Sequence, residues 1–234
     1  MYQFESRVRY SEVGADGLLT LNGVLNYFQD CSTFHSEDVG LGVEHLKEKH
    51  RAWLLSSWQV VVERYPGLGE RIVVATWPYD FKLFYGYRNF ALFGQDGERL
   101  SYANSIWAFI DTSTGHPTKI GEADVAAYGE DPKLEMNYAP RKVAVPKDCV
   151  PVEEFPVRKY HIDTNQHVNN AQYIQMAREC IPQIYPVHEM RAEYRKAAVL
   201  GDMIFPEIHR GDESDTVLLC DGQKNPYAVV QLMR

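Results

Sequence analysis

Residues 163–170 read Asp-Thr-Asn-Gln-His-Val-Asn-Asn, with Tyr173 three positions further on. Asp163, Asn165 and His167 therefore stand at alternate positions: an acid, an amide and an imidazole. Alternate residues of an extended or turning segment project to one side, so the three can converge on one small volume. An imidazole or a carboxylate can orient and deprotonate a water, and an amide can position the carbonyl that the water attacks. From Val168 the apolar residues Val168, Ala171, Ile174, Ala177 and Ile181 recur at intervals of three or four before Pro182, a spacing that predicts a helix. His167 then lies at a helix mouth, where unpaired N–H groups and the positive dipole end favour an oxyanion. The N–H groups near Val168 and Asn169 are the expected donors, and Tyr173, one turn into the helix, can line the same site, with packing between helix and sheet as its first expected job.

Each of these residues also has a plain structural role to hand. Asn169 or Asn170 can cap the helix, Asp163 can close an Asx turn, and His167 can simply pack. Their joint placement ahead of one helix favours a site. A metal centre is the weaker reading, because beside Asp163 and His167 only His161 is near enough to serve, and no metal or cofactor is expected. No serine or cysteine lies inside the motif, so direct attack by water is preferred, with a covalent route through Asp163 left open. The four cysteines, Cys31, Cys149, Cys180 and Cys220, are scattered without a C-x-x-C pair and read as reduced thiols, not as a disulfide framework or zinc site.

The scaffold reads as duplicated. Adding 147 to positions 16–23 lands on 163–170, so Asp16-Gly-Leu-Leu-Thr-Leu-Asn-Gly23 faces the motif, with Leu18 and Thr20 where Asn165 and His167 stand. A second echo pairs Leu68-Gly-Glu-Arg-Ile72 with Leu200-Gly-Asp-Met-Ile204 at an offset of 132. Around the first of these, Trp58–Val62 and Ile72–Trp77 are β-branched and aromatic, which predicts strands on either side of a Gly-containing turn. The unit is thus strand, helix and several strands, and 234 residues, 45% of them hydrophobic, suffice for two such cores. The expected division is an N-terminal copy over 1–130, a linker over 131–150 interrupted by Pro132, Pro140 and Pro146, and a C-terminal copy over 151–234. Ala123 to Tyr128 is expected as a short helix near the join.

The run Asp163-x-Asn165-Gln166-His167-Val168-Asn169-Asn170-x-x-Tyr173-Ile174 resembles the signature of the acyl-acyl carrier protein thioesterases. Glu63-Arg64-Tyr65-Pro66, Gly69-Glu70, Thr76-Trp77, Arg88-Asn89-Phe90 and Ser105-Ile106-Trp107 are similar to first-half landmarks of that family, so the resemblance covers most of the chain. It implies an α+β fold, a tandem hotdog in which two antiparallel sheets each wrap a long central helix. It also implies hydrolysis of the thioester between a fatty acyl chain and the carrier's phosphopantetheine, with Asp163, Asn165 and His167 as the catalytic set and the first copy as the acyl-chain pocket. One departure stands out: plant members carry an acid and then a cysteine after a Glu-Tyr-Arg-Arg-like segment, whereas here Glu193-Tyr194-Arg195-Lys196 leads into Ala197-Ala198. Four strand residues, roughly 13 Å, separate Glu193 from Ala197, too far for a simple exchange of roles.

A net charge of −8 argues against nucleic acid. An acidic carrier protein then needs local basic groups, for which Arg141-Lys142, Arg158-Lys159 and Arg195-Lys196 are the candidates. No stretch reaches the roughly 18 to 20 apolar residues of a membrane span, and residues 1–5 show no export signal, so the cytoplasm is the expected compartment. An acyl-CoA thioesterase and a non-catalytic acyl-binding module of the same fold are the alternatives; a dehydratase, which needs its His and acid on opposing helices, ranks lower. A homodimer is left open.

Overall fold

The computed structural model describes residues 1–183 and 185–234 and divides into two compact units. The first comprises Met1–Ser56 and Val60–Ala139. Its elements are β1 (Tyr2–Arg7), α1 (Leu21–Asp38), α2 (Val43–Glu48), β2 (Arg51–Val62), β3 (Arg71–Lys82), β4 (Tyr85–Gly94), β5 (Arg99–Asp111), β6 (His116–Pro117) and α3 (Glu122–Tyr128). The strands run in the order β1-β3-β4-β5-β2, with β6 added to β5. The expected strands at Trp58–Val62 and Ile72–Trp77 are β2 and β3, and the short helix near the join is α3.

Helix α1 begins where Thr20, in extended conformation, accepts the Gly23 N–H on its hydroxyl. Its buried stripe, Leu21, Val24, Leu25, Phe28, Cys31 and His35, lies on the sheet, with the Phe28 and Phe90 rings 5.2 Å apart. Burying one such aromatic contributes roughly 2 kcal/mol or more. The far face of β3 and β4 is covered as well: Trp77 donates its indole N–H to Pro132 O at 2.9 Å, and Asn89 Oδ1 accepts from Leu134 N and the Tyr138 hydroxyl, both at 3.0 Å. The first part of the segment read as a linker is thus packed onto the sheet, which explains why β4 is buried on both faces.

The second unit comprises Ser57–Gln59 and Pro140–Arg234. It holds β7 (Val150–Pro151), β8 (Phe155–Pro156), α4 (Asn170–Glu179), β9 (Glu189–Tyr194), β10 (Met203–Arg210), β11 (Ser214–Cys220) and β12 (Pro226–Met233). The sheet runs β9-β12-β11-β10-β7, antiparallel at each step, with β8 also on β10. Helix α4 buries Ala171, Tyr173, Ile174, Met176 and Ala177 and spans 10 residues against the 18 of α1, a shorter rod than the helix implied for this half. On β9, Tyr194 donates its hydroxyl to Asn170 O at 3.0 Å, while Arg191 and Glu193 engage the backbone of residues 140–143. The period of two sends alternate side chains to opposite faces.

The hydrogen bonds show how the copies correspond, and the offset in the region of the motif is 149 and not 147. The bridge Val13↔Leu19 matches Ile162↔Val168, the 3-10 turn Tyr10–Glu12 matches Lys159–His161, and the cap Thr20 matches Asn169. Asp163 therefore stands where Gly14 does, Asn165 where Asp16 does, and His167 where Leu18 does. Aligning Asp with Asp by letter misses this, because the carboxylate that closes the loop has moved by two positions. The offset of 132 further along holds: Gly69 and Gly201 have φ of 81° and 90° and donate to Val8 O and Val157 O.

Candidate active site

Residues 163–167 form a tight loop. Gln166 N–H donates to Asp163 O at 3.1 Å, closing a turn, and Asp163 N–H donates to His167 O at 2.8 Å, closing the hairpin-like neck. Geometry of this kind needs a left-handed residue ahead of the neck. The first copy supplies Gly17 at φ 75°, whereas the second uses Gln166 at φ 63°. A side chain in that region costs on the order of 1 kcal/mol, and such strain gathers at functional loops. Gln166→Gly is expected to raise stability by about 1 kcal/mol, read as a shift in urea midpoint at unchanged slope; an unchanged midpoint would mean the loop stores no strain.

Asp163 does two things in this loop. Its Oδ1 accepts the Asn165 N–H at 2.8 Å and, more weakly, the His167 N–H at 3.4 Å, so the Asx-turn role is real. Oδ2 has no protein partner among the described residues. Asn165 is exposed, while Asp163 and His167 are half-buried. The loop thus gathers Asp163, Asn165 and His167 within five residues, held to one another through Oδ1 and backbone. No side chain of the three hydrogen-bonds to another side chain of the set.

The expected oxyanion donors are a correction. Val168 N–H donates to Ala198 O at 2.9 Å and Asn169 N–H to His161 O at 2.8 Å, so neither is open to a substrate. Asn169 is the helix cap, its Oδ1 accepting Ala171 N–H at 2.9 Å. The Val168 side chain is buried. Of the amides at this helix start, Asn170 N–H has no acceptor among the described residues. Tyr173 is 2% exposed, and its hydroxyl accepts the Ala198 N–H at 2.8 Å. Burial pushes this phenol up to about 12, so it stays protonated. Tyr173 fastens Ala198 to the helix, and Ala198 in turn fastens Val168, so its contact with the site runs through the backbone. Sequence reasoning passed over Ala198 because its part is played by N–H and C=O alone. The echo at 132 held the clue, since it pairs Ala198 with Pro66, whose carbonyl accepts Leu19 N–H at 2.8 Å.

Two other acids and bases find structural work. Glu193 is 5% exposed and accepts Val143 N–H at 3.2 Å while pairing with Arg195 at 3.0 Å, on the face of β9 opposite Tyr194 and α4. His161, the extra metal candidate, accepts the Arg158 N–H on Nδ1 at 2.9 Å. Burial first, and the adjacent Arg158 second, lower its pKa and keep the ring neutral. His161 also lines a cleft of about 450 Å³ between α4 and residues 152–156, together with Phe155, Gln172 and Met176. Asp163, Asn165 and His167 do not border it.

A family model described as the acyl-ACP thioesterase N-terminal domain matches residues 1–128, and one described as the acyl-ACP thioesterase C-terminal domain matches 146–223. A chloroplastic palmitoyl-acyl carrier protein thioesterase of Gossypium hirsutum is 28% identical over 209 residues, covering 81% of this chain and 50% of its own length. A chloroplastic oleoyl-acyl carrier protein thioesterase 1 of Arabidopsis thaliana is 25% identical over 224 residues, 87% of this chain and 62% of its own. The chain thus spans roughly half to three fifths of the length of the curated relatives it matches. Among solved structures, an acyl-ACP thioesterase from Bacteroides thetaiotaomicron superposes with a TM-score of 0.90 at 24% identity, covering 99% of this chain and 96% of that one. The 12:0-ACP thioesterase from Umbellularia californica gives 0.86 at 21%, with 99% and 96% covered. These superpositions show the tandem hotdog fold.

Proposed function

Because the chain belongs to the acyl-ACP thioesterase family, we propose that it hydrolyses the thioester joining a fatty acyl chain to the phosphopantetheine of acyl carrier protein. Water adds to the thioester carbonyl, the C–S bond breaks, the thiolate leaves with a proton, and free fatty acid and carrier are released. The observation that carries this reading is the 163–167 loop. The same hairpin is built twice on the same scaffold, and only the second copy places an acid, an amide and an imidazole on it.

In this reading His167 takes the proton from the attacking water, with the free Oδ2 of Asp163 within the same loop to orient that water. Asn165, the exposed member, holds the carbonyl oxygen by its amide. With Val168 and Asn169 excluded as donors, the Asn170 N–H at the start of α4 is the backbone group we assign to the developing oxyanion. The first copy, residues 1–130, takes the acyl chain and residues 151–234 do the chemistry, while between them 131–139 pack with the first unit and 140–150 with the second. We place the reaction in the cytoplasm, where Cys31, Cys149, Cys180 and Cys220, all free thiols, remain reduced. Among the described residues no helix is long and apolar enough to cross a membrane.

The decisive assay offers one acyl chain on carrier protein and the same chain on CoA. Faster release from the carrier is expected. Equal or CoA-biased release would move the activity to a broader thioesterase, and no release across several chain lengths would leave an acyl-binding module.

A further inference from the structure

The duplicated 3-10 turns ahead of the two helices differ in charge. In the first copy Arg9 pairs with Glu12 at 2.9 Å, and the same carboxylate accepts the Arg9 N–H at 2.8 Å and the Tyr27 hydroxyl at 2.7 Å. That turn is electrically closed. In the second copy His161 stands at the Glu12 position and performs the cap with a neutral ring nitrogen. The exchange leaves the Arg158 guanidinium with no carboxylate, and Lys159 follows it where the first copy has Tyr10. Both are exposed, and neither has an ion-pair partner among the described residues. By contrast, Arg195 is paired with Glu193 at 3.0 Å and Lys196 with Asp221 at 3.1 Å. Tyr160, 72% exposed, completes the turn with an aromatic surface of the kind enriched at protein interfaces.

We propose that the Arg158-Lys159-Tyr160 turn is the docking point for the acidic face of the carrier protein. This rests on the thioesterase reading above. A chain of net charge −8 repels an acidic partner everywhere except where local cations stand unpaired, so two such cations side by side decide where the partner lands. Arg158 and Tyr160 border the same cleft as the acids Glu153, Glu154 and Glu179, whereas Lys159 does not line it, so an acidic partner is held off the cleft side and meets the turn from the side of Lys159. Position suits the task too. Asp163 is four residues past Lys159, at most about 14 Å along the chain, a span that a long flexible phosphopantetheine arm is suited to cross.

The test uses the intact protein with Lys159→Glu, Arg158→Glu and, as a control with the same charge change at an exposed site of the first unit, Lys119→Glu. Arg158 holds its turn by backbone, so exchanging its side chain leaves the cap in place. Binding of purified holo-acyl carrier protein at low salt is expected to weaken tenfold or more in the first two variants and less than twofold in the control. The difference should shrink in about 0.5 M salt, where the Debye length is only a few ångströms. Equal weakening in all three variants, or none, overturns the docking point. Hydrolysis of an acyl-pantetheine lacking the carrier separates the two ideas. Cleavage with no site-specific loss of carrier binding keeps the thioesterase and discards the docking point; the reverse result keeps the docking point and discards the thioesterase.

Discussion

Replacing His167 by Ala is expected to lower kcat on acyl-carrier thioester by about 10²- to 10⁴-fold, the usual worth of a positioned general base. The informative partner experiment is Asp163→Asn. Because Oδ1 of Asp163 accepts the Asn165 N–H at 2.8 Å, an asparagine there keeps the acceptor and hence the loop, while the charge disappears. Asp163→Asn should therefore lose activity to a similar degree with an unchanged melting temperature. Asp163→Ala removes the acceptor too and should lose both activity and about 1 kcal/mol of stability. Wild-type kcat in Asp163→Asn would reduce Asp163 to a turn former and confine the chemistry to Asn165 and His167.

The second large effect is on stability and lies in the first unit. Arg88 is 8% exposed, yet its guanidinium has no carboxylate partner among the described residues. Nη1 donates to His35 Nδ1 at 3.0 Å and to Thr76 Oγ1 at 3.2 Å, and the group lies 5.4 Å from the centre of the Tyr128 ring. His35 must therefore be neutral at Nδ1 to serve as acceptor. Burial first, then the Arg88 charge, pull its pKa from 6.5 to about 4. A base whose folded pKa is depressed takes up a proton on unfolding, so its contribution is complete above about pH 6.5 and is lost as pH falls toward 4. His35→Leu is expected to cost about 3 kcal/mol, because a buried cationic donor loses its acceptor. His35→Asn offers an amide oxygen in place of Nδ1 and should recover much of that loss while flattening the pH dependence between 6.5 and 4. Urea midpoints across that range provide the check; a His35→Leu midpoint equal to wild type at pH 7 would show that the Arg88 contact contributes nothing net.

The two effects also mark how far residue patterns carry. The helix starts, the strands on either side of Gly69, and the Asp163, Asn165, His167 set on one short loop were readable, because each follows from spacing within a dozen residues. The Arg88–His35 contact was not, since the partners lie 53 residues apart and nothing in either neighbourhood announces the other. Nor was the role of Glu193. Its position along β9 is a matter of sequence, but which face the strand turns toward α4 depends on what packs there, and the 140–143 segment claims the Glu193 side.

The backbone donors make the same point at the site itself. A helix mouth is legible as a mouth, and four open N–H groups are its default. Here His161 takes the Asn169 N–H with its carbonyl, Asn169 takes those of Ala171 and Gln172, and Ala198 takes the Val168 N–H just ahead of the cap.

By itself, the sequence determined the duplication, the sheet-and-helix unit, and the presence of one chemically equipped loop, all of which arise from periodicity, capping and turn preferences acting over short range. The tertiary structure alone decided which amides remain open and the burial of Tyr173 and Glu193. Those depend on which carbonyls, carboxylates and apolar faces meet across large sequence separations, and local preference carries no record of them.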